Sequence, residues 1–380
     1  VCVIQKVLVV GGGIAGLSTA WALAQRGVAV ELFEQGSLPN PIGSSYDEHR
    51  ITRHAYGPKE GYAHLMPEAF RVWDRLWKAI GRSHYDPCGV VCFLRTQTGW
   101  YDGISKTLTD MEIGYRDIPL DQVASRFPML RTEGLLRAVE TDGAGLLFPV
   151  PILTDLVVLL ASLGVTLHSG AKVTDVDLDK ATLLVDGKTY GGDVVIIAAG
   201  AWTERLVPSI REVVTPSRQA VLYLAPPPAL TEAWAQAPVM VDITATGGVY
   251  CLPPHRGTRL KIGDHVFSRQ GDPDDSRLAT PQDLERMWPE ARAAFHDFDA
   301  YTVLERKACY YTVHDHEEFQ VKPAGDAGWV ISACSGHGFK LAPLIGELVA
   351  RGLTGEMDPA QIPDLAAGRV THPTWRTAAA

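Results

Sequence analysis

Cysteine is scarce in this 380-residue chain: Cys2, Cys88, Cys92, Cys251, Cys309 and Cys334 are scattered, with no CxxC pair. That argues against a dense secreted disulfide scaffold, and no structural metal site is expected. Positive charge is also in deficit. With 35 basic against 44 acidic residues the formal charge is −9, and no long basic run occurs. Nothing therefore points to a nucleic-acid or anionic-membrane partner. No apolar stretch has the length of a membrane span, and the apolar start, Val1–Val10, runs straight into glycines. It reads as a buried first strand rather than a signal peptide, so the cytoplasm is the default location. Internal repeats and low-complexity tracts are missing as well. A 46% hydrophobic composition supplies enough core for two domains.

What is present begins at the first strand. Val7–Val10 is followed by GGGIAG and then by the helical pattern LSTAWALAQRG. Gly11, Gly13 and Gly16 have GxGxxG spacing in a strand–turn–helix context. Gly11 permits the turn, Gly13 lets the backbone approach a pyrophosphate, and Gly16 allows close helix–strand packing. The helix start then offers N–H groups and a positive dipole end to phosphate. A second strand, Val28–Glu34, ends on an acid placed to accept both ribose hydroxyls. Together these features predict dinucleotide binding, and the carboxylate favours an unphosphorylated ribose. FAD and NAD are not separated at this point.

Later segments return to this unit. Pro149–Leu160 has a helical apolar pattern, and two alternating stretches after it predict short antiparallel strands. Val194–Ala199 is a continuous apolar run suited to a doubly covered central strand. It leads into Ala199, Gly200 and Ala201, small enough for a cofactor to pass closely. Near the end come another buried strand, the turn SGHGF containing Gly338, and a terminal helix. The expected division assigns 1–80, 142–212 and 320–370 to the nucleotide domain. Residues 81–141 and 213–319 form a second, mainly antiparallel-sheet domain facing substrate, and 371–380 is a frayed tail. The fold class is α/β.

Four places carry candidate chemistry. In GSSYDEHRITRHAYG (Gly43–Gly57), Arg50 and Arg53 are three apart and would share a face on a helical turn. They suit a substrate carboxylate or a reduced anionic flavin, or else a solvated turn. On RLKIGDHVF, period-two alternation puts Lys261, Gly263 and His265 on one face. A charged lysine there would favour oxygen reduction; the plain alternative is an edge strand facing water. Cys309 lies in an aromatic strand-like run, where a lone cysteine is usually a small buried hydrophobe. Lys340 follows SGHGF, near the phosphate end of the fold, where a surface lysine is the simpler reading.

The ordered set GSSYDEHRITRHAYG, LKIGDHVF, RKACYYT and SGHGFKL resembles monomeric sarcosine oxidase and its N-methyl amino acid and pipecolate oxidase relatives, over nearly the whole chain. The resemblance implies a glutathione-reductase-like FAD-binding Rossmann domain beside a substrate domain. It implies FAD bonded through Cys309, oxygen reduction at Lys261, and His265 in the same site. Arg53 and Lys340 match the pair that holds the substrate carboxylate. Arg50 matches a basic residue near the flavin ring, and Tyr250 an aromatic lining the cavity. Partners implied are a small amine or amino acid and molecular oxygen, with the chain working as a monomer. Tyr46, Asp47 and His49 depart from the family pattern, and the larger groups are expected to narrow or re-aim the substrate cavity.

Overall fold

The computed structural model describes residues 4–97 and 99–371. Cys2 and residues 372–380, nearly all of the expected tail, lie outside them. The first strand, Lys6–Val10, is buried over its last four residues because neighbouring strands cover both edges, helices cover one face, and the other face packs on Val173, Leu183, Val185 and Ile210. It pairs in parallel with Ala29–Glu34 on one side and Val194–Ile197 on the other. Thr166–Ser169, Gly328–Ser332 and the antiparallel Gln320–Pro323 complete a six-stranded sheet. All four residues of Val194–Ile197 are buried, as a parallel strand covered on both faces requires.

Helix Ile14–Ala24 leaves the first strand through the glycine turn and packs against Pro149–Ser162 and Ala342–Leu353. Its mate, Ala342–Leu353, approaches closely at Gly346, where a Cβ would lie 2.7 Å from the Thr19 amide nitrogen. The predicted short antiparallel strands are present as Val173–Asp177, Thr182–Val185 and Lys188–Gly191.

A second sheet of eight strands draws on two separate stretches of chain, Val90–Thr141 and Thr215–Val313. It is antiparallel except where Val239–Ile243 runs parallel to Val90–Leu94. Its longest pairing joins Thr215–Ala225 to Thr302–Val313 and fixes the register Gln219 opposite Cys309. One face rests on a core that includes Trp234, Phe295 and Met240. The architecture is thus a Rossmann-like domain with a separate mixed-sheet domain.

Two local expectations are corrected. Arg50 and Arg53 do not lie on a helical turn: Arg50–Thr52 is a short strand paired with Gly145–Leu147. The strand through Lys261 and Gly263 is shorter than expected: it ends at Asp264 and the chain bends at His265, whose ring still lies against that of Tyr250, the partner of Gly263.

Candidate active site

The cradle at the first turn follows from backbone geometry. Gly11 has φ +111°, and a Cβ there would meet the Ala198 carbonyl oxygen at 2.3 Å. At Gly16 a Cβ would sit 1.9 Å from the Gly11 carbonyl oxygen, so only glycine lets helix and turn meet. Gly13 caps the helix in extended conformation, and the Ile14 amide donates to Ser45 Oγ at 3.0 Å. Glu34 is buried and organised, accepting from the Gly12 amide, the Gly36 amide and Asn40 Nδ2, each at 2.8 Å.

From Glu34 a cavity of about 410 Å³ runs past Gly11 and Gly13 to Arg50, Gly200 and Gly338. Its lining suits FAD, with the Glu34 carboxylate, a helix N-terminus and the buried Arg50 cation all facing one cavity. Arg50 Nε is buried without a hydrogen-bond partner, an orphan donor of the kind a ligand acceptor would satisfy. Residues Gly11, Gly13, Gly16 and Glu34 would hold the adenosine and pyrophosphate half.

At the far end Arg50, Lys261, Cys309 and Tyr250 gather. Arg50 Nη2 donates to the Ser44 carbonyl at 2.6 Å and pairs with Asp47 Oδ2 at 3.0 Å. Lys261 is 1% exposed, and its ammonium lies 2.5 Å from the same Asp47 oxygen. The Tyr223 hydroxyl donates to the other Asp47 oxygen. Burial alone would raise the Asp47 carboxyl, but Arg50 and Lys261 outweigh it and hold it far below the carboxylate range. Burial pushes the Cys309 thiol up, while Arg50 pulls it back. Cys309 is thus a neutral, enclosed thiol beside Tyr310 and Tyr311, which line the cavity.

A second cluster contains Arg53, Lys340 and His265. Among the described residues Arg53 Nε is buried and unpartnered and its Nη1 reaches Cys92 Sγ at 3.9 Å, with the Trp100 ring 5.3 Å from its Cζ. Lys340 is buried, with its ammonium 5.0 Å over the Tyr56 ring. Burial, then the charges of Arg53 and Arg50, hold that ammonium well below the usual lysine value. Among the described residues neither Arg53 nor Lys340 forms an ion pair with a carboxylate. His265 keeps exposed surface but is ringed by protein. That enclosure, and then Arg53, push its imidazole down to about 3, so it is neutral. Its ring lies 5.4 Å from that of Tyr250.

Not every expected residue joins these clusters. His49 has no exposed surface and sits beside Lys261, where burial and the lysine charge push its imidazole down to about 4. It offers a substrate no surface, which corrects its expected place in the cavity wall. Asp47 is likewise spent on Lys261, Arg50 and Tyr223 rather than on cavity shape. Tyr46 is half-buried, and Lys307 Nζ donates to its carbonyl at 3.2 Å.

Some partners escaped the sequence reading. Tyr56 and His337 meet at 3.3 Å beside Lys340, although both stand inside the quoted motifs HAYG and SGHGF. Asp86, Cys88 and His255 also come together, with ligand atoms all within 4.8 Å. This grouping is not legible along the chain, because His255 arrives from a distant strand connection. His255 Nδ1 is 3.1 Å from Asp86 Oδ2, and Arg256 brings a competing positive charge 3.7 Å from the same oxygen. No helix among the described residues is long and apolar enough to cross a membrane.

Comparison with known proteins agrees with this geometry. The model of the family described as "FAD dependent oxidoreductase" matches residues 6–351. N-methyl-L-tryptophan oxidase of Yersinia pestis (strain Pestoides F) is 25% identical over 353 residues, covering 90% of this chain and 93% of that protein. Among solved structures, NikD, an unusual amino acid oxidase essential for nikkomycin biosynthesis, superposes with TM-score 0.78 at 22% identity, covering 96% of this chain and 98% of its own. L-proline dehydrogenase from P. horikoshii gives 0.82 at 16% identity, covering 97% and 98%. The chain is an enzyme that oxidises CH–NH groups of amine or amino acid substrates, and it belongs to the FAD dependent oxidoreductase family.

Proposed function

We propose that the substrate is a secondary amine bearing a carboxylate, of the N-methyl amino acid kind, oxidised to an imine that water hydrolyses, with oxygen reduced to hydrogen peroxide. The observation that carries this reading is the pair Arg53 and Lys340. The two cations lie close enough for Arg53 to depress the buried Lys340, neither is paired with a carboxylate among the described residues, and the Arg53 Nε is an orphan donor there. Concentrating like charge this way is unfavourable unless an anion arrives to satisfy it. A substrate carboxylate is an anion of the right geometry, because a guanidinium can engage both of its oxygens.

Bound FAD supplies the redox chemistry, accepting two electrons and a hydrogen from the carbon next to nitrogen and later delivering electrons to oxygen. The chain's own residues do the rest. Arg53 and Lys340 anchor the carboxylate, which leaves the amine end directed away from them. His265, being neutral, presents one acceptor nitrogen and no charge to that end, so it does not compete for the carboxylate. Lys261 and Arg50 supply positive potential where negative charge develops during oxygen reduction. Cys309, enclosed next to the cavity lining, is our candidate for covalent attachment of the flavin.

Anaerobic reduction of the bound flavin by a panel of amines tests the assignment. Sarcosine, N-methyl aromatic amino acids, proline and pipecolate are compared with their methyl esters, and peroxide release is matched to oxygen consumption in air. Acids should reduce the flavin far more readily than esters. Equal reduction by both would remove the clamp, and oxygen uptake without peroxide would remove the oxidase reading.

A further inference from the structure

Lys261 does not stand as a bare charge, and the residue responsible lies in the short stretch expected to depart from the family pattern. Asp47 is 5% exposed and Lys261 1%, so their 2.5 Å contact is shielded from water and salt. The carboxylate is fully engaged: Oδ2 takes Lys261 and Arg50, and Oδ1 takes the Tyr223 hydroxyl and the Glu48 amide. The remaining neighbours do not replace its charge. His49 is neutral, Tyr223 is held protonated by burial and by Asp47, and the Cys309 thiol is raised by burial. Glu48 turns instead to Arg259, and Lys307 stands on the Tyr46 side of Asp47. Beside the cavity end lined by Arg50, two cations therefore share one anion.

We propose that Asp47 is a built-in counter-ion to Lys261 and Arg50 that lowers the positive potential on the flavin, and so holds down both its reduction potential and its reaction rate with oxygen. This rests on the reading of the cavity as the FAD site and of Lys261 as the cation serving oxygen. Asp47 is a positioning residue in this scheme, since it touches the cations and not the reacting atoms. Arg50 keeps its charge whether or not Asp47 is present, whereas burial pulls the Lys261 ammonium down to about 8 even beside Asp47. The variants are therefore compared at the acid end of the protein's stable range, where both cations, unopposed, would stabilise the reduced, anionic cofactor and the developing charge on oxygen more strongly. Asp47 accordingly sets a slower reaction with oxygen than the same cations would give without it.

The test uses the FAD-loaded full chain and Asp47→Asn, which keeps the size and an oxygen to accept from Tyr223 or Lys261 while deleting the charge. The flavin midpoint potential is measured by equilibration with a reference dye, and reoxidation by stopped flow at fixed oxygen. Asp47→Asn should shift the reduced-to-oxidised equilibrium toward reduced on the order of tenfold, or ~30 mV for a two-electron couple. Reoxidation should quicken on the order of tenfold. Asp47→Glu should restore the wild-type potential, and Tyr223→Phe, which removes a hydrogen bond but no charge, should leave it in place. If Asp47→Asn does not load with FAD, Lys261→Met is compared with Lys261→Met/Asp47→Asn, and the potential must again rise on adding Asn. An unchanged or lowered potential in that comparison, or a rise equalled by Tyr223→Phe, overturns the proposal. Failure of Lys261→Met to slow reoxidation, with the Asp47→Asn potential still raised, would remove the oxygen role of Lys261 and its share of the rate effect, leaving Asp47 as counter-ion alone.

Discussion

Replacing Arg53 with methionine keeps most of the side-chain length and removes the guanidinium. Its donors are largely idle among the described residues: Nε has no partner there and Nη1 reaches Cys92 Sγ at 3.9 Å. If a substrate carboxylate takes two charge-assisted hydrogen bonds from it, each contributes about 1.5–3 kcal/mol. The loss is then ~3–6 kcal/mol, or roughly 10²–10⁴-fold in affinity for the acid. The fold itself should hardly suffer. Arg53 forms no ion pair among the described residues, and its removal relieves repulsion on Lys340. What is lost structurally is the contact with the Trp100 ring at 5.3 Å, about 0.5–1 kcal/mol. The assay is anaerobic flavin reduction against substrate concentration, run in parallel with the methyl ester and with a thermal melt. The expected pattern is a large loss for the acid, little change for the ester and a near-constant melting temperature. An equal loss for acid and ester, or affinity unchanged for the acid, would refute the reasoning.

Three further predictions follow from the same geometry. Lys340 binds a carboxylate only as the ammonium, and its pKa is depressed, so acid affinity should be full below that lowered value and fall as pH rises through it. In Arg53→Met the fall should move to higher pH because one repelling charge is gone; a titration of the apparent Kd checks both. Cys309→Ala should still bind FAD through the cradle, whereas acid-precipitated wild-type protein should stay yellow and weigh one FAD more than its polypeptide by intact mass; complete release of colour from fully loaded wild type rules out the attachment. Gly16→Ala forces a Cβ to 1.9 Å from the Gly11 carbonyl oxygen, and the displaced turn should cost FAD loading and on the order of 1–3 kcal/mol of stability, read by absorbance and denaturant melts.

The linear chain by itself determined the nucleotide half. A strand, a glycine turn, a helix and a terminal acid are local features, and the Gly11, Gly16 and Glu34 geometry needs few partners beyond Ala198 and the turn itself. The central strand Val194–Ile197 was equally legible, since burial on both faces leaves an unbroken apolar run. Tertiary structure alone decided the charges at the other end. Asp47 and Lys261 are 214 positions apart, and nothing in GSSYDEHR announces that its acid will reach under a strand of the second sheet. The same holds for Arg50–Thr52, which forms a strand because Gly145–Leu147 offers an edge, whereas spacing alone allowed a helical turn. The strand carrying Lys261 and Gly263 ended at Asp264, one residue short of His265, because the chain bends there. Spacing identifies which side chains a local element presents; whether a buried cation stays bare or acquires a counter-ion depends on which distant backbone packs against it, because only enclosure makes that pairing strong.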